Sequence, residues 1–323
     1  MKRTKSLILG LGFVLLYITP LTFAQTNYPN RPVRLIVPYG TGGGSDILAR
    51  QIGAKLQLLW GQGVAVENHA GASGNIGTEL VVSAPANGYT LLLQNSTMLT
   101  SQAVNGKGSY DPKKDLTPIM LLGVTPIALF ASPNSNIKNF KDLIERAKKE
   151  PGVLNFGSCG NGTPQHLAME IVKQKTNTKM NNVSYKGCSP GLIDVLGGHI
   201  PLAILSANLG APFVESGKLF GIGVSDSKRY KLLPNTPTFN ELGLKPLEIS
   251  NWYALMGPGN LPKEVIDRVY LDVKNILADP EVKINLSKAG VEPTEGDAVE
   301  LSRLIAEEQI RYVNLVKSAN ITP

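Results

Sequence analysis

One unit recurs along this chain: a short apolar strand, a loop of Gly, Ser, Thr and Asn, then a helix. No other feature constrains the fold as strongly, because strands alternating with helices form a parallel α/β sheet with helices on its faces. Residues 33–37 run into Pro38-Tyr-Gly-Thr-Gly-Gly-Gly-Ser45. A helix from Asp46 to about Trp60 follows, with Leu48, Ile52, Leu56 and Leu59 at helical spacing. The strand 64–67 leads into the loop 68–77 and a helix to about Ser83; the strand 90–93 leads into Gln94-Asn-Ser-Thr97 and a short helix. The strand 154–156 leads into Gly157-Ser-Cys-Gly-Asn-Gly-Thr163, where Thr163 is the expected N-cap and Pro164 the first helical residue. The strand 182–185 leads into Lys186-Gly-Cys-Ser189. There Ser189 is expected to cap and Pro190 to start a helix that stops at Gly197-Gly198. Residues 203–205 and 221–224 read as further short strands.

Two interruptions divide the pattern. Apolar stretches at 121–124 and 127–131 flank Pro126, and 247–255 form a second such run. Each reads as the chain crossing from one domain to another. Two amphipathic helices follow, 262–278 with Val265, Ile266, Val269, Val273 and Ile276, and 298 to about 317 with Leu301, Leu304, Ile305, Tyr312 and Leu315. The expected architecture is α/β, two domains with two crossover strands: 25–125 plus 250–323 in the first, 126–249 in the second. A chain of 323 residues is long enough for each to bury its own core.

Residues 1–24 read as an address. Met1-Lys-Arg-Thr-Lys5 is a basic start, 7–18 an apolar stretch, and Thr22-Phe-Ala24 offers small residues for cleavage after about Ala24. The apolar stretch is too short for a membrane anchor, which needs about 20 residues. The 32 basic residues less Lys2, Arg3 and Lys5 leave 29 against 25 acidic, a net charge of +4 on the exported chain. So small a charge, with no basic tract, predicts no nucleic-acid partner. Export also places Cys159 and Cys188 in an oxidising compartment, where they are a disulfide, two free thiols or one reactive thiol. A disulfide closing this loop of about 30 residues would stabilise by about 3–4 kcal/mol.

The five loops carry the chemistry. Each places Gly, Ser, Thr or Asn before a helix start, where unpaired N–H groups and a partial positive charge attract an anion. Glycine lets a ligand approach the backbone, and in a parallel sheet such loops gather at the carboxyl ends of the strands. The basic side chains on them are Lys186, His69 and His166. The expected ligand is a small carboxylate or similar anion held in a cleft between the domains; the competing reading of each loop is a tight turn. No catalytic residue is assigned. Gly71-Ala-Ser-Gly-Asn75 lacks the final glycine of a nucleophile elbow, which leaves His166 beside Ser158, Cys159 or Asp194 as the enzyme alternative. His199 follows two glycines at a helix end and reads as a surface residue. Three isolated histidines offer no zinc spacing. Gly40-Thr-Gly42 has Ser45 where a dinucleotide fingerprint needs its third glycine, with Glu67 falling late, so no metal and no cofactor is expected.

Val37-Pro-Tyr-Gly-Thr-Gly-Gly-Gly-Ser-Asp-Ile-Leu-Ala-Arg50, Glu67-Asn-His-Ala-Gly-Ala-Ser-Gly-Asn-Ile-Gly77 and Tyr185-Lys-Gly-Cys-Ser-Pro190 together resemble the Bug-type solute receptors. These are the periplasmic binding components of tripartite tricarboxylate transporters. Phe156-Gly-Ser-Cys-Gly-Asn-Gly-Thr-Pro-Gln-His-Leu-Ala168, Thr236-Pro-Thr-Phe-Asn-Glu-Leu-Gly243 and Trp252-Tyr-Ala-Leu-Met-Gly-Pro258 extend the likeness over the mature chain. The resemblance implies a two-domain periplasmic binding protein, a type II-like Venus flytrap, gripping a carboxylate through loop amides and ordered water. Carried over, its pocket falls on Tyr39, Thr41, Gly42, Gly43, Ser45 and Asp46; on Ala72, Ser73 and Asn75; and on Gln94 and Ser96. In the second domain it falls on Ser158, Gly160, Asn161, Thr163 and His166, with Tyr185, Lys186 and Gly187. Asp46 and Arg50 read as orienting the first loop, and the Tyr39 hydroxyl as an added donor or acceptor. Cys159 and Cys188 depart from the small residues usual there; if they pair, they would stiffen the pocket floor. The implied role is a monomeric periplasmic receptor passing a di- or tricarboxylate, an acidic amino acid or a pyridine carboxylate to membrane permease subunits. The alternatives are a carboxylate receptor for a sensor system, and a secreted hydrolase using Cys159 or Ser158 with His166.

Overall fold

A computed structural model describes residues 28–318 and 321, apart from 107, 246 and 248; the expected signal segment, 1–24, lies outside the described residues. Strands β1 (Val33–Val37), β2 (Val64–Asn68) and β3 (Thr90–Asn95) are parallel in the order β2-β1-β3. Val33, Leu35 and Val37 enter one core cluster while Ile36 enters another. A strand buried on both faces is what a near-continuous apolar run specifies. Helices α1 (Gly44–Trp60), α2 (Asn75–Val82) and α3 (Thr97–Asn105) follow the three strands, as the repeat requires.

The first crossover is one strand rather than two stretches broken at proline: β4 runs Leu116–Ala131 through Pro126. Up to Pro126↔Ser250 it pairs with β9 (Ser250–Pro258). From Ile127↔Ser206 onward it pairs with β7 (Leu202–Ser206), and it also pairs with β8 (Phe220–Val224). Pro126 stands where the neighbour changes, so its missing N–H interrupts no ladder. On the far side, β5 (Asn155–Ser158) and β6 (Asn181–Ser184) continue the sheet as β4-β7-β5-β6. The whole follows the expected α/β plan, with β4 and β9 as the crossovers.

Thr163 does cap α5 (Pro164–Thr176), its side chain accepting from His166 N–H, and Pro164 is the first helical residue. Ser189 does not cap. Helix α6 (Cys188–Gly197) starts one residue earlier, from Gly187 at φ 108°, a backbone conformation open to glycine. Further elements carry no strand–loop–helix signature. They are α4 (Phe140–Lys149), capped by Asn139; α7 (Ala207–Glu215); and α9 (Pro280–Lys288), capped by Asp279. The last is β10 (Glu292–Gly296), antiparallel to β4. Helices α8 (Lys263–Ala278) and α10 (Ala298–Ser318) return onto α1 and α3 respectively.

Candidate functional site

The loop after β1 is held from beneath. Asp46 Oδ2 accepts from Gly42 N–H at 3.0 Å and Arg50 Nε at 3.1 Å, while Oδ1 accepts from Asn68 Nδ2 at 2.9 Å. Burial alone would raise the Asp46 pKa, but the contacts from Arg50, Gly42 and Asn68 outweigh it and hold the carboxyl below its ordinary value. A depressed carboxyl stabilises the fold above its unfolded pKa, near 3.8, and that contribution is lost as pH falls through the lower folded value. Both oxygens are therefore spent on the loop, and Asp46 acts as its orienter. Asp46→Ala should cost about 1–3 kcal/mol, because it strands Gly42 N–H and the Asn68 amide. Urea unfolding at neutral pH checks this, and a loss under 0.5 kcal/mol on that scale would contradict it.

Behind this loop the polar side chains are buried and neutral. The Tyr39 hydroxyl donates to Gln94 Oε1 at 2.5 Å, and Gln94 Nε2 donates to Thr78 Oγ1 at 2.7 Å. Asn95 Nδ2 donates to Ser45 Oγ at 3.1 Å, and Ser96 Oγ donates to Asn251 Oδ1 at 2.9 Å. Asn251 Nδ2 reaches the Tyr253 hydroxyl at 3.2 Å. Burial raises the pKa of Tyr253, with Thr125, Asn251 and Ser206 pulling against it through hydrogen bonds; Tyr39 is raised well above the usual value, chiefly by burial. Both phenols therefore stay protonated and uncharged.

In the second half, Cys159 and Cys188 are joined as a disulfide between the loop after β5 and the first residue of α6. Gln165 Nε2 lies 3.4 Å from Ser206 Oγ, and Gln165 is 2% exposed. His166 is turned away from ligand chemistry. Its Nδ1 accepts from Gly162 N–H at 3.2 Å, so the ring proton sits on Nε2, 3.5 Å from Glu170 Oε1. Burial pushes the Glu170 carboxyl up, but His166 and Lys173 outweigh it and hold its pKa below normal. The Tyr185 hydroxyl is likewise spent within its own half, donating to Asp194 at 2.5 Å, and Lys186 is exposed. Thr41 is exposed, and Ser158 is fully buried with a long contact to Gly160 O at 3.4 Å.

The two sets of loops meet. Ser73 Oγ donates to Asn161 O at 2.8 Å, and a Cβ on Gly162 would come within 3.0 Å of Ser101 Cα. A Cβ on Gly40 would lie 4.0 Å from Lys186 O. On the opposite side Asn208 donates to Ala289 O, and the Tyr230 hydroxyl to Gly290 O at 2.8 Å. At these contacts the loops of the two halves touch directly. Of the six helices that start at these loops, α1, α2, α6 and α7 have no side-chain cap, and at α3 the N-cap Ser96 makes none but Asn95 Oδ1 accepts from Thr97 N–H at 2.9 Å. Only α5 is capped by its N-cap residue. Uncapped first turns keep their N–H groups available to an anion.

Expected residues that gather here are Tyr39, Gly42, Gly43, Ser45, Gln94 and Ser96 from one side, with Ser73 meeting Asn161 from the other. Ala72, at φ 47°, and Asn75, whose Oδ1 accepts from Tyr110, shape the second loop. Gly160 and Thr163 form the turn before α5, where Thr163 Oγ1 donates to Gly160 O at 2.7 Å. Sequence reading missed Thr125, Ser206, Asn251 and Tyr253, which sit inside strands and follow no glycine loop. The available signal was Asn251, a polar residue within the apolar run 249–256.

Residues 48–321 match the family model described as tripartite tricarboxylate transporter family receptor. Protein BugT of Bordetella pertussis is 31% identical over 292 residues, 90% of each chain. A Rhodopseudomonas palustris protein solved with adipate is 31% identical, with TM-score 0.86 over 92% of this chain and 99% of that one. MatC from the same organism, with bound malate, is 26% identical, with TM-score 0.84 over 90% and 100%. Alkanesulfonate-binding SsuA of Xanthomonas axonopodis shares the fold at 13% identity and TM-score 0.55.

Proposed function

The chain belongs to the tripartite tricarboxylate transporter receptor family, and on that premise we propose that it captures a small organic carboxylate in the periplasm and delivers it to membrane permease subunits. The observation that carries this reading is the set of helix starts without a side-chain cap at loops that meet from both halves of the sheet, backed by neutral buried polar side chains. Backbone amides supply a fixed positive potential, and the protonated phenol of Tyr253 adds hydrogen-bonding capacity without charge. Binding favours the closed form to the extent that the ligand touches both sets of loops, and a ligand of the wrong shape leaves buried donors unpaired. Relatives solved with adipate and malate support an aliphatic di-acid within the wider carboxylate class. The proposed domains are 25–125 plus 250–323, and 126–249, acting as a monomer after cleavage near Ala24.

A hydrolase would need Cys159 or Ser158 as nucleophile beside an available His166. The Cys159 sulfur is in the disulfide, Ser158 is fully buried with its hydroxyl turned to Gly160 O, and both ring nitrogens of His166 are engaged. This supports a binder that returns its ligand unchanged.

The test is thermal unfolding of the mature protein, refolded to strip bound ligand. The panel is adipate, malate, citrate, glutamate and nicotinate. An acid at a hundred times its Kd should add about 2.7 kcal/mol of stability. A flat response to every acid from a folded sample would remove the carboxylate reading.

A further inference from the structure

The disulfide stands where the second half of the cleft is assembled. Strands β5 and β6 are four residues each, and their ladder ends at Tyr185 N–H to Ser158 O and Gly187 N–H to Cys159 O, both 3.1 Å. Beyond that point the start of α6 has no side-chain cap, and Gly187 is at φ 108°. The cystine supplies a restraint there by tying Cys188, the first residue of α6, to Cys159. Its other side meets the cleft. Cys188 Sγ lies 3.8 Å from Gln165 Nε2 and 4.0 Å from Ser206 Oγ. Ser206 in turn is a hydrogen-bonding neighbour of Tyr253, which belongs to the crossover. Gln165 is almost fully buried, yet its amide nitrogen makes only long contacts, at 3.4 Å and 3.8 Å, which leaves donor capacity for a ligand.

We infer that the Cys159–Cys188 cystine is a positioning element of the ligand site, aligning the α6 amides and the Gln165 carboxamide, so that affinity for the carboxylate depends on the disulfide being closed. This deepens the receptor reading and rests on it. Opening the bond is thiol–disulfide exchange with a dithiol. The dithiol gives up two electrons and two protons and closes to its own cyclic disulfide, and the protein gains two thiols. The receptor then keeps its fold but loses the fixed start of α6.

Calorimetric titration with the five acids tests this on three samples: oxidised protein, protein reduced with dithiothreitol, and the double variant Cys159→Ser, Cys188→Ser. Far-UV circular dichroism verifies that all three samples are folded at the titration temperature, which is set well below each Tm. The expected result is binding to the oxidised form at least ten times tighter than to either other form. Reoxidation should restore the reduced sample, and the double variant should be blind to reductant. Hydrogen exchange gives a readout that stability alone would not move: the acid should protect 187–191 in the oxidised protein only. Equal Kd and equal protection in all three samples would overturn the inference while leaving the receptor reading intact. No binding to the oxidised protein would overturn both.

Discussion

Gly44→Ala should weaken carboxylate binding and lower stability, although Gly44 opens a helix where alanine is intrinsically favoured. A Cβ at this position would lie 2.2 Å from the Tyr253 hydroxyl and 2.9 Å from its Cζ. The ring cannot easily withdraw. Tyr253 is 1% exposed, and its backbone is paired on both sides, with Asn95 of β3 and Gly123 of β4. Overpacking of this kind costs about 1–3 kcal/mol. Here it also shifts the first turn of α1, whose amides face the cleft. If binding falls by a similar amount, Kd rises roughly 5- to 150-fold. Removing only the obstructing oxygen separates the two effects: Gly44→Ala combined with Tyr253→Phe should regain part of the lost stability, because the nearest atom becomes the ring edge. Titration and urea unfolding of the single and double variants check this. An unchanged Kd and Cm for Gly44→Ala would contradict it.

Phe130→Ala should be the most damaging single truncation on the crossover, costing about 3–5 kcal/mol. Phe130 is fully buried on β4 just past the change of neighbours, paired with Ala203 of β7 and Gly221 of β8. Its ring fills the slot that Gly210 leaves on α7: a Cβ on Gly210 would come within 2.4–2.6 Å of three ring carbons. Ring and glycine are complementary, so removing the ring leaves a cavity that a helix backbone cannot fill by small shifts. For a chain of this size the loss corresponds to a fall in Tm of roughly 5–10 °C. Calorimetry measures it, and a change under 1 kcal/mol, well below the range for such truncations, would show that the site collapses.

Much of the fold is legible in the sequence alone. The strand–loop–helix repeat, the Thr163–Pro164 helix start and the two crossings are local signals. They appear at β1, β2, β3, β5, α5 and the β4–β9 pair. Two local readings failed for physical reasons. Pro126 looked like a break because it lacks a donor, but the lost donor falls where the strand changes partners. Ser189 looked like a cap because Pro190 follows it, but Gly187 turns the chain early and Cys188 is tied to Cys159. In the site, the glycine loops were legible and their roles only partly so. Asp46 as the loop's orienter was legible from the motif, whereas the engagement of His166 by Gly162 and Glu170 was not.

Sequence by itself therefore determined the element types, the α/β class and the placing of small polar residues before helix starts. Those depend on side-chain periodicity, backbone freedom and capping, which act over a few residues. Tertiary structure alone decided that Ser206 reaches Tyr253 and Ser96 reaches Asn251, that Ser73 meets Asn161, and that the two cysteines pair. Each joins positions separated by tens to hundreds of residues. Which strand edge and which loop they meet is set by sheet order and register, and no local propensity carries that information.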